Sequence, residues 1–309
     1  WEKFARRLAD SKFRVYITGS NARMLSAEIA TTLGGRYIMK EVYPYSFAEY
    51  IDAHRVSRTK TAQIATKTRA VLQRYFDEYM QYGGFPECIN LPAKRDYLMS
   101  VYQKIYLGDI AARHRIENTF ALRFLFKKLS ESIMQPLSFT RLANLITSTG
   151  SKISKATVIN YMEYAKDSYL VFPLKNITSH IAEREGNPKY YFVDNGMISL
   201  LTLNAEAALL ENIVAMELIR RYGQDNHVFF YNDKVEVDFY IPEIETAIQV
   251  SMYPRESDET WRRETEALVR MNKHLPCSTL LLLTQNEEDT IAIDDVIIQL
   301  KPVWKWLLN

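Results

Sequence analysis

The spacing of apolar residues along this 309-residue chain changes several times, and each change marks a new structural segment. Residues 1–12 have helical spacing, 13–17 form a continuous apolar run, and helical spacing returns over 21–33. This pattern predicts a helix, a strand and a second helix, as at the edge of an α/β domain. Ser20 and Asn21 follow the predicted strand. They either cap the second helix or orient a ligand at the strand tip, and the two roles can coexist.

The next segment, residues 46–132, is almost continuously helical in its pattern. Ser46 is a suitable N-cap, and breaks are predicted at "YGGFPE" (82–87) and at Pro92. A short strand is predicted just before Pro44. The sequence therefore predicts a helical subdomain after the α/β start.

Three helices and two strands are predicted between Thr119 and Asp194. The second and third helices start after Ser138 and Ser154, and the order of elements is that of a winged helix-turn-helix. Side chains suited to DNA contacts lie on or just before the third helix: Lys152, Lys155, Asn160 and Tyr161. Nearby acidic residues reduce the positive charge, so two roles stay open, DNA recognition and packing against another protein.

The last third of the chain predicts a second α/β unit, in which a helix at 205–222 precedes several strands. Strict alternation in "KVEVDFYI" places Asp238 on one face of a strand and Val237, Phe239 and Ile241 on the other.

Polar side chains interrupt this α/β unit at three places. The apolar stripe of helix 205–222 continues to Glu217, Asp238 lies on the polar strand face, and Gln249 lies on the next strand. An acid on a helix and an acid on a strand are the means by which a metal-dependent nuclease collects magnesium ligands. The alternative is a polar sheet edge with a glutamate at the margin of the helix stripe.

The composition is that of an ordinary globular protein, with 47% apolar and 25% charged residues and a net charge of +2. This net charge does not by itself indicate a nucleic-acid partner. Cys88 and Cys277 are far apart in the sequence, which argues against a disulfide framework or a zinc cluster and favours a reducing cytoplasm. No run reaches the roughly 18 apolar residues of a membrane span.

The chain opens on Trp1, in a helical pattern, which predicts a trimmed or partial chain. The phosphate-binding pattern G-x-x-x-x-G-K-[ST] does not occur in the sequence, and Gly150-Ser151-Lys152 lacks its first glycine. No nucleotide-binding loop is therefore expected within these residues.

Taken together, several stretches resemble prokaryotic AAA-type P-loop ATPases that carry a C-terminal domain of unknown function. The N-terminal ones are "ITGSNARMLSAEIATTLGGRY", "VYPYSFAEYI", "YGGFPE" and "YLGDIAARHRI". The C-terminal ones are "ATVINYMEYAKDSYLV", "KYYFVDNGMISLL", "ENIVAMELIRR", "EVDFYI" and "IQVSM". The resemblance covers essentially the whole chain, and its specificity comes from the occurrence of all these stretches in this order.

The resemblance implies ATP and Mg²⁺ as cofactors of the complete protein, with neither expected to bind this chain. In that family the Walker A loop and the Walker B acid precede the segment that matches the start of this chain. Ser20 and Asn21 would match the sensor-one position that orients the attacking water. Arg36 would lie where a basic residue could contact a phosphate group, including one bound by a neighbouring subunit.

The C-terminal part is similar to the PD-(D/E)xK nuclease fold. Glu217 would match the helix acid, and Asp238 would match the central acid and metal ligand. Gln249 and Ser251 fall where active enzymes carry an acid and a lysine, and Lys234 is the candidate substitute for that lysine. Glutamine is a poorer magnesium ligand than a carboxylate, so the resemblance favours a ligand-binding domain over an active nuclease.

The predicted fold class is a multi-domain combination of α/β and α. It comprises a remnant of an ATPase core (1–45), a helical lid-like subdomain (46–115), a winged helix (116–190) and a nuclease-like α/β domain (191–309). The leading hypothesis is the C-terminal portion of an AAA-type ATPase that couples hydrolysis to its C-terminal domains. A non-catalytic DNA-binding or regulatory module and a metal-dependent nuclease are the alternatives. Predicted partners are DNA, through the winged helix, a second protein or further copies of the chain; no membrane is expected.

Overall fold

The computed structural model describes residues 2–19, 37–178, 187–224 and 227–308. Ser20, Asn21 and Arg36, the predicted ATPase residues, lie outside these ranges. Helix α1 (Glu2–Asp10) forms as predicted. The strands predicted at 13–17 and before Pro44 are not formed, because no described strand pairs with either segment and both leave apolar side chains in solvent.

The segment after Pro44 is helical, as predicted. Ser46 begins it with a capping box, in which its side chain accepts from the Glu49 N–H and Glu49 accepts from the Ser46 N–H. None of the helices in the described ranges combines the length and apolarity needed to cross a membrane. A 3₁₀ turn (Pro86–Asn90) and a π-helical segment (Lys104–Ala112) interrupt the helices, which are α2 (Phe47–Ala53), α3 (Lys60–Ile64), α4 (Thr66–Tyr82), α5 (Lys94–Gln103), α6 (Thr119–Glu131), α7 (Phe139–Ser148) and α8 (Lys155–Asp167).

The order of three helices and a hairpin is also as predicted. Ser138 and Ser154 accept hydrogen bonds from the first turns of α7 and α8. Strands β1 (Val171–Asn176) and β2 (Lys189–Phe192) pair antiparallel. The hairpin does not stand alone, because β1 also pairs in parallel with β3 (Phe229–Asn232) of the C-terminal sheet.

The C-terminal part is an α/β structure on a single mixed sheet. Its strands and the hairpin lie in the order β2-β1-β3-β4-β5-β6-β8-β7, antiparallel across β3, β4 and β5 and parallel from β5 to β8. The elements are α9 (Asn195–Leu201), α10 (Glu206–Tyr222), β3 (Phe229–Asn232), β4 (Glu236–Ile241), β5 (Thr246–Ser251), α11 (Asp258–Asn272), β6 (Thr279–Thr284), β7 (Asp289–Ile293), β8 (Val296–Pro302) and α12 (Val303–Leu307).

One large hydrophobic core joins the helices to the sheet. It runs from Phe47 and Leu125 in the helical part to Ile248 and Trp304 in the C-terminal part. A second, smaller core lies on the other sheet face, beneath α11. The main core continues across positions 115 and 190, and the predicted domain limits stay predictions.

Strand β4 contains an irregularity that the alternation argument missed. Tyr231 of β3 lies opposite Val237 of β4. Phe229 lies two residues before Tyr231, but its partner Tyr240 lies three residues after Val237, so β4 has one extra residue at this point. Such a bulge reverses the alternation beyond it. The prediction that Val237 shares a face with Phe239 and Ile241 is wrong: Val237 belongs to the core under α11, whereas the other two belong to the main core.

Candidate functional site

A fully buried lysine lies at the centre of the C-terminal part. Lys189 begins β2 and has 0% of its side chain exposed. Its Nζ lies 2.7 Å from Glu236 Oε1, 3.4 Å from Asp238 Oδ1 and 3.6 Å from Glu211 Oε1. A buried ammonium group is tolerated only when it is paired and hydrogen-bonded, and here three carboxylates from β4 and α10 surround it.

Glu211, rather than the predicted Glu217, carries the helix carboxylate to this cluster. The two residues are six positions apart, which places them about 120° apart around an α-helix. Glu211 Oε1 accepts the hydroxyl hydrogen of Tyr191 at 2.7 Å and faces Lys189. The two oxygens of Glu217 instead accept from Arg220 at 2.7 Å and Arg221 at 2.8 Å, so the structure does not bring Glu217 to Asp238.

Asp238 lies at the β4 bulge and is held on both sides. One carboxylate oxygen faces Lys189, and the other accepts the backbone N–H of Val250 at 2.9 Å. The Asp238 N–H in turn donates to Gln249 Oε1 at 3.2 Å. Bulges commonly aim a side chain into a site, and this one joins Asp238 to β5 and to β2 at once.

Gln249 connects Asp238 to a further acid that the sequence argument did not single out. Its Nε2 donates to Glu264 Oε2 at 2.6 Å, and Glu264 lies on α11 with 3% exposure. The exposed Arg263 pairs with the other oxygen of Glu264. Gln249 thus acts as a bridge that accepts from β4 and donates to α11.

Burial and mutual proximity control the ionisation of this cluster. Burial raises the pKa of Asp238 well above its usual range, and the neighbouring Glu211 raises it further. Burial likewise raises the pKa of Glu211, while Lys189 and the Tyr191 hydroxyl oppose that rise. Burial alone would lower the pKa of Lys189, but the surrounding carboxylates outweigh it and raise that pKa. Lys189 is therefore a permanent cation among acids that resist full ionisation.

The cluster opens to solvent through a cavity of about 630 Å³. Asp238, Gln249 and Glu264 line its floor, and the exposed Lys234 lines its mouth with the half-exposed Glu236. Ser251 also lines the cavity. The predicted substitute Lys234 thus lies beside the cavity, whereas the lysine that contacts Asp238 is Lys189.

The residues present do not fit the magnesium ion that a nuclease resemblance implies. Mg²⁺ requires oxygen ligands at about 2.0–2.1 Å in octahedral geometry. Here an ammonium group already occupies the point on which the three carboxylates converge, and the second oxygen of Asp238 is taken by a backbone N–H. Within the described ranges, no three His, Cys, Asp or Glu side chains lie where they could hold a metal ion.

The predicted DNA-contacting residues divide into two groups. Lys152, Lys155 and Asn160 are exposed, and neither lysine forms an ion pair with another described residue. Tyr161 is 7% exposed and packs in the main core, and burial raises the pKa of its hydroxyl. The α8 helix therefore offers two lysines and an asparagine to a partner, but not Tyr161.

Lys189 and Glu211 could have been found from one signal, a charged residue beside or inside an otherwise apolar run, whereas Glu264 lies in the largely charged helix α11 and has no such signal. Lys189 precedes three buried aromatic residues, and Glu211 with Asn212 interrupts the apolar run of α10. Asn212 bonds both backbone groups of Phe192, which fixes β2 beside α10. These interruptions mark where the helix faces the polar end of β2.

Two family matches bear on the class of the protein. Residues 1–51 match the AAA domain family, and residues 73–208 match a domain of unknown function (DUF8612). The first match relates the chain to AAA-type ATPases. Neither match reaches β4 or β5, and no solved structure matches the chain.

Two relatives align with the whole chain. An uncharacterized protein of Methanocaldococcus jannaschii is 34% identical, with all of this chain and 72% of the relative covered. An uncharacterized protein of Haemophilus influenzae is 30% identical, with all of this chain and 74% of the relative covered. The chain belongs to the family of these archaeal and bacterial proteins.

Proposed function

We propose that this chain is a nucleic-acid-binding unit of an AAA-type ATPase-related protein, with a nuclease-like domain that does not cleave. The observation that carries the proposal is the exposed start of α8, where Lys152 and Lys155 have no ion-pair partner among the described residues. Phosphate groups are the ligands that such lysines recognise, and helices at this place in a winged helix enter the DNA groove. With Tyr161 buried, binding would depend on phosphate contacts more than on base contacts.

A groove extends from the cavity toward the winged-helix segment. It has a volume of about 710 Å³, is lined by Lys128 and Arg141, and shares Met134 and Gln135 with the cavity at Asp238. This continuity supports a path along which one nucleic-acid strand could contact both parts.

The non-cleaving character rests on the groups around Asp238. Gln249 takes the place of an acid, Ser251 takes the place of a lysine, and Lys189 neutralises the remaining carboxylates. Asp238 therefore serves to hold the sheet and the charge cluster together rather than to ligate a metal.

In the complete ATPase, ATP hydrolysis would move this unit on its nucleic acid or protein partner. Ser20, Asn21 and Arg36 are the residues of this chain that would take part, the first two beside the γ-phosphate. The match to the AAA domain over residues 1–51 supports this role.

The binding proposal is tested with a fluorescently labelled DNA duplex titrated at several salt concentrations. We expect the double variant Lys152→Ala/Lys155→Ala to bind more weakly than wild type and its slope of log affinity against log salt to fall by about 2, roughly one per lost phosphate contact.

The matched control is Lys60→Ala/Lys67→Ala, which removes the same charge from exposed positions on α3 and α4. Equal affinity and slope for the α8 variant and wild type would refute the assignment of the interface. If both double variants lose affinity and slope equally, the effect is one of net charge only. This result would also refute the assignment of the interface.

A further inference from the structure

Three carboxylates converge on one point in the nuclease-like domain, and that point holds the Lys189 ammonium group. Glu211, Glu236 and Asp238 each place an oxygen within 3.6 Å of Nζ. Three carboxylate oxygens around one centre are also the ligand chemistry that Mg²⁺ and Mn²⁺ prefer. The cluster thus has the donor type of a metal site, but, as placed in the described structure, its carboxylates surround an ammonium group and could not hold a metal ion.

We infer that Lys189 is the resident cation of this cluster, taking the place of a divalent metal ion and excluding it. A metal ion at the centre of the three carboxylates would lie almost on top of the Nζ atom. Lys189 is fully buried and its side chain enters from β2, so its ammonium group occupies this point in the folded protein. Exclusion is therefore a fixed property of the fold.

The positions of the neighbouring groups agree with a cluster built for an ammonium group. The Lys189 Nζ also lies 5.4 Å from the centre of the Phe230 ring, a contact that favours an organic cation. The Tyr191 hydroxyl donates to Glu211, and the Val250 N–H donates to Asp238, so donors already occupy oxygens that a metal would need. Glu211 Oε2 is the one buried oxygen of these carboxylates with no hydrogen-bond partner in the described ranges.

Removing Lys189 should convert the cluster into a metal site. Without the ammonium group, three carboxylates share a buried space, and their mutual repulsion favours any cation that can enter. The oxygens would need to move inward by about 0.6 to 1.6 Å to reach metal-ligand distances. The cavity beside Asp238 gives a hydrated ion access.

The test measures Mn²⁺ binding by electron paramagnetic resonance and by thermal unfolding, without nucleic acid or ATP. We expect wild type to bind no Mn²⁺ that depends on Asp238. Lys189→Ala should bind Mn²⁺ about tenfold or more tightly than wild type and should unfold at a higher temperature when Mn²⁺ is added. Lys189→Ala/Asp238→Asn should lose both effects, and the exposed Lys60→Ala should behave as wild type.

Two results would overturn the inference: Mn²⁺ binding by wild type that Asp238→Asn abolishes, or a folded Lys189→Ala protein that gains no Mn²⁺ binding. Should Lys189→Ala fail to fold with or without Mn²⁺, the wild-type comparison with Asp238→Asn decides. In that case, the absence of Asp238-dependent Mn²⁺ binding by wild type supports exclusion, and its presence refutes exclusion. Because DNA is absent from the Mn²⁺ experiment, its failure does not affect the DNA-binding proposal. Failure of the DNA titration likewise does not affect the inference about Lys189.

Discussion

Asp194 is the buried carboxylate that joins the helical part to the C-terminal part. Its oxygens accept the N–H groups of Gly84 at 2.7 Å and Gly196 at 2.8 Å, so it caps α9 and fixes the loop after α4. Gly83 packs directly against it: a Cβ atom at Gly83 would lie 1.7 Å from Asp194 Oδ1, and its φ of 74° also favours glycine. The break predicted at "YGGFPE" is therefore a close contact between two parts of the fold.

Burial gives Asp194 a testable pH dependence. It raises the pKa of this carboxyl to about 6. Because the folded-state pKa lies above the unfolded one, the stability that Asp194 contributes is complete below the unfolded value and is lost as the pH rises through about 6. We expect the free energy of unfolding of Asp194→Asn to rise by roughly 2–3 kcal/mol relative to that of wild type between about pH 4 and about pH 7.

Urea unfolding of both proteins across this pH range measures the shift. The exposed Asp96→Asn change is the matched control, since it removes the same charge from the surface of α5. A difference between wild type and Asp194→Asn that stays constant with pH would contradict the buried, partly protonated state.

At the residue scale, the sequence predicted some members of the cluster and not others for a physical reason. Asp238 and Gln249 lie on adjacent strands, where alternation brings polar positions together, and the structure does join them. Lys189 comes from a hairpin assigned to another domain, and only the parallel pairing of β1 with β3 brings β2 near β4. Helical spacing alone could not distinguish Glu211 from Glu217, because the choice depends on which side of α10 faces β2.

At the scale of elements, helix starts were the most predictable feature. Ser46, Ser138 and Ser154 were each expected to cap a helix, and each accepts a hydrogen bond from its first turn. Capping depends on four or five consecutive residues, so local sequence suffices. The strand expected at 13–17 and the bulge in β4 depend instead on partner strands, which local patterns do not contain.

The cap of α8 stabilises the start of the helix at Lys155, three residues after Lys152. Ser154 Oγ accepts the N–H of Thr157 at 3.0 Å. We expect Ser154→Ala to lower the free energy of unfolding by about 1 kcal/mol, since the Thr157 N–H loses its side-chain acceptor. Ser148→Ala, at the exposed end of α7, is the control and should cost less than about 0.5 kcal/mol. Equal losses in chemical denaturation would show that the cap contributes nothing specific.

At the scale of the whole molecule, the main core joins segments that the sequence assigned to separate units. Helices α2 and α4 to α8 share it with the sheet, and β1 links the hairpin to β3. Local composition showed no linker and gave no sign of this packing.

The absence of a phosphate-binding loop from the sequence gives a prediction for the molecule as a whole. We expect these 309 residues to show no ATP turnover in the presence of Mg²⁺, because no G-x-x-x-x-G-K-[ST] segment is present to hold the β- and γ-phosphates. Release of inorganic phosphate measures this. Turnover that Asn21→Ala removes would contradict the prediction, whereas turnover unchanged by that substitution would indicate a contaminating enzyme.

We propose DNA binding through the start of α8, beside a C-terminal α/β part that does not cleave the DNA. The most direct measurement incubates a labelled duplex with saturating protein and Mn²⁺ and then separates the strands on a denaturing gel, for wild type and for Asp238→Ala. We expect the bound duplex to stay full length with wild type and with Asp238→Ala. Cleavage by wild type that Asp238→Ala abolishes would contradict it.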